Sequence, residues 1–245
     1  MGGGGVTRSE GPVRAAPRPR PAPSARALRQ ERAYSTRRAL LVAAGERFAA
    51  QGYHGTALTD LLGGGSMTRG ALYFHFRSKE ALAEALVAAM SESWAPVLPA
   101  VIDETPDALA ALVRLTDVVI VRLADPIVRG AARVLRDQVL RSPSLAEVSA
   151  GWEDEMCGLL REAREHELLR PGVRPVWVAH EIVVSLAGRG TLLESHAPQE
   201  SLWEDMNDFW AGLLPLIASE PWLARWDATS WSTRPRPPLT GPSHR

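Results

Sequence analysis

Several features that define other classes of protein are scarce in this sequence. Among its 245 residues there is one cysteine, Cys157, so an internal disulfide framework and a cysteine-based zinc site are excluded. No run of about 18 apolar residues continues without a break, so we expect no membrane span. The opening stretch, MGGGGVTRSEGPVR, lacks the continuous apolar segment of a signal peptide. These absences predict a cytoplasmic protein with no membrane association.

Motifs that carry catalysis are also missing. Residues 65–72, GSMTRGAL, have the glycine spacing of a phosphate-binding loop, but Ala71 and Leu72 stand where that loop requires Lys and then Ser or Thr. The sequence contains no HExxH or GxSxG motif. Glu162 and His166 are four residues apart on a predicted helix, which is more typical of a solvated pair than of a metal site. We therefore expect no enzyme, no metal and no cofactor.

The net charge of zero conceals an uneven distribution. Residues 1–80 carry 13 Lys and Arg against 5 Asp and Glu, and residues 81–245 carry the remaining 15 against 23. An excess of positive charge in one part of a chain favours contact with a polyanion such as nucleic acid. The N-terminal part is therefore the part expected to bind one.

The two ends of the chain differ from its middle. Residues 1–33 are rich in Gly, Pro, Ala and Arg and are predicted to be a disordered basic arm, and residues 228–245 are predicted to be a disordered tail. Between them no run of alternating polar and apolar residues is long enough for a strand, so an all-α chain is expected. Prolines that follow Asp, Ser or Thr mark several helix starts. The nine predicted helices are 36–51, 57–63, 68–74, 78–95, 106–123, 126–140, 144–168, 175–194 and 198–218.

The short helices near the N-terminus have the outline of a helix-turn-helix. The helix predicted at 36–51 has its apolar residues on one face. A second short helix is followed by a glycine-rich turn at 63–66, and a third helix begins at Thr68. Two short helices about a glycine-containing turn, amid an excess of arginine, indicate a helix-turn-helix DNA-binding domain at 34–80.

Residues 38–87 resemble a known family. The segments FAAQGY, LTDLL and MTRGALYFHFRSKEALAEAL are similar to the DNA-binding domain of TetR-family repressors, and TRGALYFHFRSKEAL looks most like the γ-butyrolactone autoregulator receptors of antibiotic-producing actinomycetes. This resemblance implies a three-helix DNA-binding head, joined by a fourth helix to a larger helical domain for ligand binding and dimerisation at 81–227. One departure is the triplet Gly63–Gly65, where the family usually finishes its second helix with larger residues. Because each glycine in a helix costs roughly 0.5–1 kcal/mol relative to Ala, we expect a loosely folded head off DNA.

The resemblance also implies candidate DNA contacts. A recognition helix lies in the major groove with its N-terminal residues nearest the base edges, and Thr68 and Arg69 occupy that end. Arg69 is suited to a bidentate contact with guanine O6 and N7, which is worth ~1–3 kcal/mol of discrimination. We expect Leu72, Phe74 and Phe76 to be core residues, and Ser78 to cap the fourth helix. The other candidates, all for phosphate contacts, are Thr56, Thr59, Tyr73, His75 and Lys79. A structural hydrogen bond is an alternative role for His75.

The C-terminal part has no short motif but is rich in tryptophan, with all eight tryptophans at or beyond Trp94. Packing in the core or in an interface is the default explanation, although aromatic walls also suit a small-molecule pocket. By resemblance to the butyrolactone receptors, Trp152 is the counterpart of a pocket tryptophan that stacks on the ligand, and Gln138 is a candidate hydrogen-bond donor. Trp177 and Ser185 complete the predicted ligand-binding set.

A second departure from the family concerns the ligand. The segment EIVVSLAGRG has Ala187 where the family has a threonine that helps to bind the lactone. Loss of a hydroxyl from a buried polar contact weakens binding by ~0.5–1.5 kcal/mol. The interpretations left open are a receptor for another signal, such as a butenolide, a furan acid or an antibiotic intermediate, and a pseudo-receptor.

The sequence thus predicts a homodimeric repressor of secondary-metabolism genes, which binds a palindromic double-stranded DNA operator and is released by a small-molecule inducer. The resemblance implies a dimer interface on the apolar faces of helices 175–194 and 198–218, and packing within one monomer is the alternative. The residues of these faces are Val176, Ile182, Val183, Leu186, Phe209, Leu213, Leu214 and Ile217. A ligand beside Trp152 is expected to shift the fourth helix and change the spacing of the two heads. A DNA-binding regulator without a small ligand, and an activator built on the same head, are the competing interpretations.

Overall fold

The all-α prediction is confirmed. In the part of the chain that the computed structural model describes, ten α-helices and one 3-10 helix form the fold, and the β-structure is one antiparallel bridge between Leu169 and Ala218. The described residues are 1–2, 24–62, 68–138, 142–196 and 199–228. The elements are α1 (Ala25–Gly55), the 3-10 helix (Leu58–Leu62), α2 (Arg69–His75), α3 (Lys79–Trp94), α4 (Val97–Glu104), α5 (Ala108–Arg122), α6 (Pro126–Gln138), α7 (Pro143–Glu165), α8 (Pro175–His196), α9 (Gln199–Ile217) and α10 (Glu220–Ala228).

The chain divides into two compact units, residues 1–35 and residues 36–245. In the first unit the chain is helical from Ala25 onward. The prediction of a disordered arm therefore does not hold for residues 25–33, because the segment after the last proline consists of strong helix formers such as Ala, Leu, Arg, Gln and Glu. Residues 3–23 of the predicted arm lie outside the described residues.

Apolar residues of α1 and α2 form the core of the DNA-binding head, which belongs to the second unit. Leu41, Ala44 and Phe48 of α1 are buried on one face, as their spacing predicts, and Leu72 and Phe76 are buried in the same core. α1 loses its helical conformation at Gly52, where the sequence predicts that the helix ends. The helices of the head thus follow the apolar periodicity of the sequence.

Phe74 is a correction to the predicted core. Its side chain is 81% exposed, whereas Leu72 and Phe76 are 0% and 3% exposed. Leu72 and Phe76 are four residues apart and therefore share one side of the helix, while Phe74, two residues from each, points to the other side. The core prediction is therefore correct for Leu72 and Phe76 and wrong for Phe74.

Side-chain caps fix the starts of α2 and α3. The Thr68 hydroxyl accepts a hydrogen bond from the Ala71 backbone N–H at 3.2 Å, and the Ser78 hydroxyl accepts one from the Ala81 N–H at 3.2 Å. Each bond satisfies an N–H that has no partner within the helix and is worth about 1 kcal/mol. The predicted capping role of Ser78 is confirmed. The predicted effect of the Gly63–Gly65 triplet falls outside the described residues.

α5 is the central helix of the larger, C-terminal part. It packs against α4, α7 and α9, and most of its side chains are buried. Two tryptophans are fixed on it by hydrogen bonds of 2.9 Å: the Trp210 indole N–H donates to the Thr116 hydroxyl, and the Trp222 indole N–H donates to the Asp107 carboxylate. A buried indole N–H normally has such a partner. For these two tryptophans the default explanation, core packing, is the correct one.

α3 and α4 together form an apolar stretch, Lys79–Glu104, that by length and composition alone is able to cross a membrane. The stretch is divided at Ala95, which caps the end of α3. Leu82, Leu86 and Met90 of α3 are buried in the hydrophobic core of the protein. Core packing accounts for the apolar residues on the buried side of α3.

The sequence pattern does not predict α4 or α10. These helices have eight and nine residues, so each contains too few apolar repeats to show a helical period. α10 is nevertheless held in place, because Trp222 is 2% exposed and bonded to the start of α5. Tertiary contacts, rather than a local pattern, fix these two short helices.

α1 and α6 cross with their backbones in contact. Gly45 of α1 faces Gly130 and the Pro126 carbonyl of α6, and a Cβ on either glycine would clash with backbone atoms of the other helix. Only a residue without a side chain permits this approach. The crossing joins the first helix of the head directly to a helix of the C-terminal part.

We expect Gly45→Ala to destabilise the protein by about 1–3 kcal/mol, because the added methyl group meets rigid backbone. Gly158→Ala in α7 is the matched control, since the space around a Cβ at Gly158 is open. The control is expected to be neutral or to stabilise by up to about 1 kcal/mol. Urea denaturation followed by circular dichroism measures both variants. Equal stabilities would contradict the importance of the backbone contact.

Candidate DNA-binding surface and ligand cavity

α2 presents an exposed surface that includes most of the predicted base and phosphate contacts. Thr68 and Arg69, at its start, are exposed, and Tyr73, one turn beyond Arg69 on the same face, is 45% exposed. His75 is half-buried at the end of the helix. Phe74 adds an exposed aromatic ring to this surface, which the sequence argument missed because it assigned every large apolar residue of the helix to the core.

Thr56 and Thr59, both predicted phosphate contacts, have different environments. Thr59 is exposed on the 3-10 helix. Thr56 is 2% exposed, and its hydroxyl donates to the Gly52 carbonyl at 2.8 Å, with the Arg47 carbonyl 3.3 Å away. The prediction for Thr56 is therefore wrong, because its hydroxyl is buried and closes the end of α1.

Lys79, another predicted phosphate contact, instead forms hydrogen bonds within the head. Its ammonium donates to the Tyr53 carbonyl at 2.9 Å and to the Thr56 carbonyl at 3.1 Å. It also lies 4.4 Å from the centre of the Tyr53 ring, in a cation–π contact. Two of the three ammonium N–H donors are thus occupied by backbone carbonyls. The geometry assigns Lys79 to the junction of α1 and α3 and does not support a role on DNA.

Tyr53 is the centre of that junction. Its hydroxyl donates to the Glu80 carboxylate at 3.0 Å. Burial raises the pKa of Tyr53 to about 12, and the bond to Glu80 and the negative charge of Glu80 act in the same direction. Hydrogen bonds from its own backbone N–H and from the Ser78 and Tyr53 hydroxyls hold the pKa of Glu80 below its usual range. The junction is therefore arranged for a neutral phenol and an ionised carboxylate.

α6 reaches the same junction from the C-terminal part. The Tyr53 backbone N–H donates to the Asp137 carboxylate at 2.8 Å, and the Arg133 guanidinium donates to that carboxylate at 3.1 and 3.2 Å. Gly52 has φ of +72°, and a Cβ there would lie 2.9 Å from the Asp137 carboxylate. Gly52 is thus required both for its left-handed conformation and for the space beside α6.

A cavity of about 240 Å³ lies among α3, α5, α6, α7, α8 and α9. Its wall is apolar apart from Arg136, Ser149 and two indole rings. An apolar wall with a few polar groups is the usual composition of a small-molecule site. Apolar residues from all six helices contribute to it, among them Met90, Val119, Leu135, Met156, Leu186 and Leu202.

The predicted ligand residues divide into those on the cavity wall and those elsewhere. Trp152 lines the cavity, and its ring meets that of Trp94 edge to face, with centroids 4.7 Å apart. Ala187 also lines it, at the position where the resemblance implies a threonine. Gln138 is the last residue of α6, two positions beyond the wall residue Arg136, and its side chain lies outside the described residues.

Trp177 and Ser185 are not on the wall of this cavity. Three residues of α8 line it, at positions 183, 186 and 187, and this spacing turns Ser185 away. Trp177, in the first turn of α8, is 51% exposed. Their assignment to the ligand site is therefore corrected. Trp94, Arg136 and Ser149 are the wall residues that the sequence argument missed, and no local motif marks them.

α6 contacts the cavity and the head with opposite faces. Val128, Ala132 and Leu135 line the cavity. Gly130 contacts α1, and Asp137 bonds to Tyr53. Gly130 lies two positions from Val128 and from Ala132, and Asp137 lies two positions from Leu135. Residues two positions apart point to nearly opposite sides of a helix, so the cavity and the head contact opposite faces of α6. α6 therefore contacts both the cavity and the head.

These features define an all-α protein with a helix-turn-helix head and a helical C-terminal part that contains a cavity. Residues 40–86 match the model of a family described as bacterial regulatory proteins, tetR family. The head of this chain is therefore similar to that of this family, and the chain as a whole resembles the ArpA-like γ-butyrolactone receptors. The resemblance drawn from the sequence is confirmed.

Three similar proteins support this assignment. The A-factor receptor protein of Streptomyces griseus is 29% identical over 196 residues, which cover 78% of this chain and 66% of that protein. The crystal structure of a γ-butyrolactone receptor (ArpA-like protein) is 26% identical with a TM-score of 0.68, over 84% of this chain and 100% of that one. CprB of Streptomyces coelicolor, solved in complex with its biological operator sequence, is 27% identical with a TM-score of 0.72, over 82% of this chain and 97% of CprB. The likeness extends well beyond the head.

The raised pKa of Tyr53 predicts a pH dependence of stability. Because the folded state favours the protonated phenol, this contribution is complete below the ordinary pKa of 10.0 and is lost as pH rises to about 12. We expect the free energy of unfolding of wild type to fall more steeply than that of Tyr53→Phe over this interval. Tyr34→Phe, at a tyrosine that is 71% exposed, is the control and should follow wild type. Parallel curves for wild type and Tyr53→Phe would contradict the assignment.

Proposed function

We propose that the chain is a cytoplasmic, homodimeric transcriptional repressor of secondary-metabolism genes. It binds a palindromic operator and leaves it when a small molecule enters the cavity between its helices. The observation that carries this proposal is the position of α6, which lines the cavity with Ala132 and Leu135 and holds the head through Gly130 and Asp137. A helix with both contacts is suited to convert ligand binding into movement of the head.

α2 is the recognition helix in this proposal. Arg69, in its exposed first turn, is suited to donate two hydrogen bonds to guanine O6 and N7. The Tyr73 hydroxyl is suited to a phosphate oxygen, as are the side chains of Thr59 and His75. Phe74, which is 81% exposed, is suited to an apolar contact with a thymine methyl group. The helix therefore offers both base-reading and backbone-binding groups.

A second copy of the chain is the proposed partner of α8 and α9. Val176, Trp177 and Val184 of α8 and Leu216 of α9 are 56%, 51%, 50% and 71% exposed. Half of the apolar face predicted for the interface, including Ile217, is buried within the monomer, so these exposed side chains are the ones available to a partner. A two-fold pairing of these helices gives two recognition helices, and heads about 34 Å apart read successive turns of a palindrome. Trp177 thus has an interface role in place of a ligand role.

The proposed inducer is a small, largely apolar molecule. The relatives named above include receptors for A-factor and for γ-butyrolactones, which supports a signal of similar size here. Ala187 on the cavity wall offers no hydroxyl to a lactone oxygen. We therefore favour a signal other than the simple butyrolactone, such as a butenolide, a furan or an antibiotic intermediate.

The proposed switch uses two helices that run from the cavity to the head. α6 ends at Asp137 beside Tyr53, and α3 begins at Lys79 beside the same residue and reaches the cavity with Met90 and Trp94. A ligand that fits the cavity better in one arrangement of these helices shifts the population toward it. Operator affinity changes by the same coupling free energy.

A second candidate is a TetR-type regulator that takes no small ligand. The observation that favours it is Ala187, which removes a polar contact that the resemblance implies for ligand binding. Such a protein would keep the head and the dimer interface and lack the release step.

DNA binding is tested by fluorescence anisotropy with DNA from the region upstream of the protein's own gene. We expect salt-sensitive binding by wild type, because phosphate contacts release counterions. Arg69→Ala is expected to lose about tenfold or more in affinity, from the loss of a base contact worth ~1–3 kcal/mol. Arg161→Ala, at an exposed arginine of α7, is the matched control and should bind like wild type. Absence of salt-sensitive binding to any DNA would contradict the proposal.

Release is tested by adding an extract of the producing culture to the operator complex. We expect the extract to release wild type but not Trp152→Ala, whose cavity wall is altered. Asp137→Ala is expected to bind the inducer, seen as a raised melting temperature with extract, yet to release DNA poorly because α6 no longer bonds to the head. If the extract releases neither wild type nor any variant, the ligand-independent regulator is the better interpretation.

A further inference from the structure

A second cavity adjoins the ligand cavity. It has a volume of about 490 Å³ and lies among α3, α4, α5 and α7. Trp94 and Trp152 line both cavities, and their rings are in edge-to-face contact at an interplanar angle of 90°. The two indoles are therefore a shared wall. We call the first space the inner cavity and the second the outer cavity.

The outer cavity contains polar groups without an evident structural task. The Ser91 hydroxyl, on its wall, is buried and has no hydrogen-bond partner among the described residues. A buried hydroxyl without a partner is costly and in native structures indicates a missing water or ligand. Glu155 also lines this cavity, with an exposed side chain that carries a negative charge.

The wall of the inner cavity is mostly apolar. Its charged residue, Arg136, interacts with another group of the protein and also lines the cavity. Apart from Arg136 and the two indoles, Ser149 is the polar side chain on this wall. The remaining wall residues are aliphatic residues and methionines. The inner cavity is therefore suited to an apolar body, and the outer cavity to a head group.

We propose that the ligand occupies both cavities, with its apolar body in the inner cavity and a hydroxyl or protonated amine head group in the outer cavity, bound by Ser91 and Glu155. Trp152, which is half-buried, turns aside to join the two spaces. The Glu155 carboxylate accepts hydrogen bonds and repels anions, so it favours hydrogen-bond donors over carboxylates. This inference rests on the proposed function, because it names the ligand class of the same cavity.

Cavity-filling variants test which space the ligand uses. Gly151 lines the outer cavity, and a Cβ there would meet no atom within 4 Å, so Gly151→Phe fills the outer cavity without a backbone clash. Gly158→Phe, on the same helix with the same open surroundings and on the wall of neither cavity, is the matched control. Ala187→Phe fills the inner cavity. Circular dichroism of each variant checks that it is folded.

The probes are octylamine, 1-octanol and octanoate, which share one apolar chain, and calorimetry measures their binding. We expect wild type to bind octylamine and octanol at least about fivefold more tightly than octanoate, a difference of roughly 1 kcal/mol. Gly151→Phe and Ala187→Phe should each weaken octylamine binding about tenfold or more, and Gly158→Phe should not. Glu155→Gln should remove the preference for octylamine, and Ser91→Ala should weaken octanol.

Each alternative outcome has a distinct meaning. If Ala187→Phe abolishes binding and Gly151→Phe does not, the ligand lies in the inner cavity alone, so this inference is wrong and the proposed function stands. Tighter binding of octanoate than of octylamine, or no binding of any probe to wild type, also overturns it. If Ala187→Phe leaves extract-driven release of the operator intact, the inner cavity is not the ligand site and the proposed switch fails with it.

Discussion

The crossing of α1 and α6 at Gly45 and Gly130 is the contact on which the rest of the arrangement depends. These two helices are in backbone contact, so a side chain at either glycine would force them apart. The bond from the Tyr53 N–H to the Asp137 carboxylate fixes the same two helices at a second point, one residue after the left-handed Gly52. Coupling between sites requires an element with two discrete arrangements, and α6 is the element on which the proposed switch depends.

The junction around Tyr53 joins a third helix to this pair. Lys79 and Glu80, the first residues of α3, bond to the carbonyl and to the hydroxyl of Tyr53, while the other end of α3 contributes Trp94 to both cavities. Two helices therefore connect the junction with the space in which a ligand would lie. This geometry is the structural basis of the proposed switch.

Sequence reasoning was most accurate where the decisive interaction is local. The cap by Ser78 depends on a residue three positions away, and the burial of Leu72 follows the apolar spacing of its own helix, and both predictions are correct. It was least accurate for polar residues with two suitable partners. The local sequence around a threonine or lysine is the same whether its side chain binds a phosphate or a backbone carbonyl at the end of a helix. Thr56 and Lys79 bind backbone carbonyls. Phe74 shows the converse error, since apolar character alone does not give the side of a helix.

The sequence by itself determined the all-α class, the position of the helix-turn-helix, the cap by Ser78 and the resemblance to a family. Each of these depends on helical periodicity or on a contiguous motif. The tertiary structure alone decided which tryptophans line a cavity, which pack in the core and which are exposed, and that α6 links the cavity to the head. These features depend on contacts such as that between Tyr53 and Asp137, which are 84 positions apart. No local pattern encodes such a contact, because it exists only once the helices have packed and their faces have been assigned.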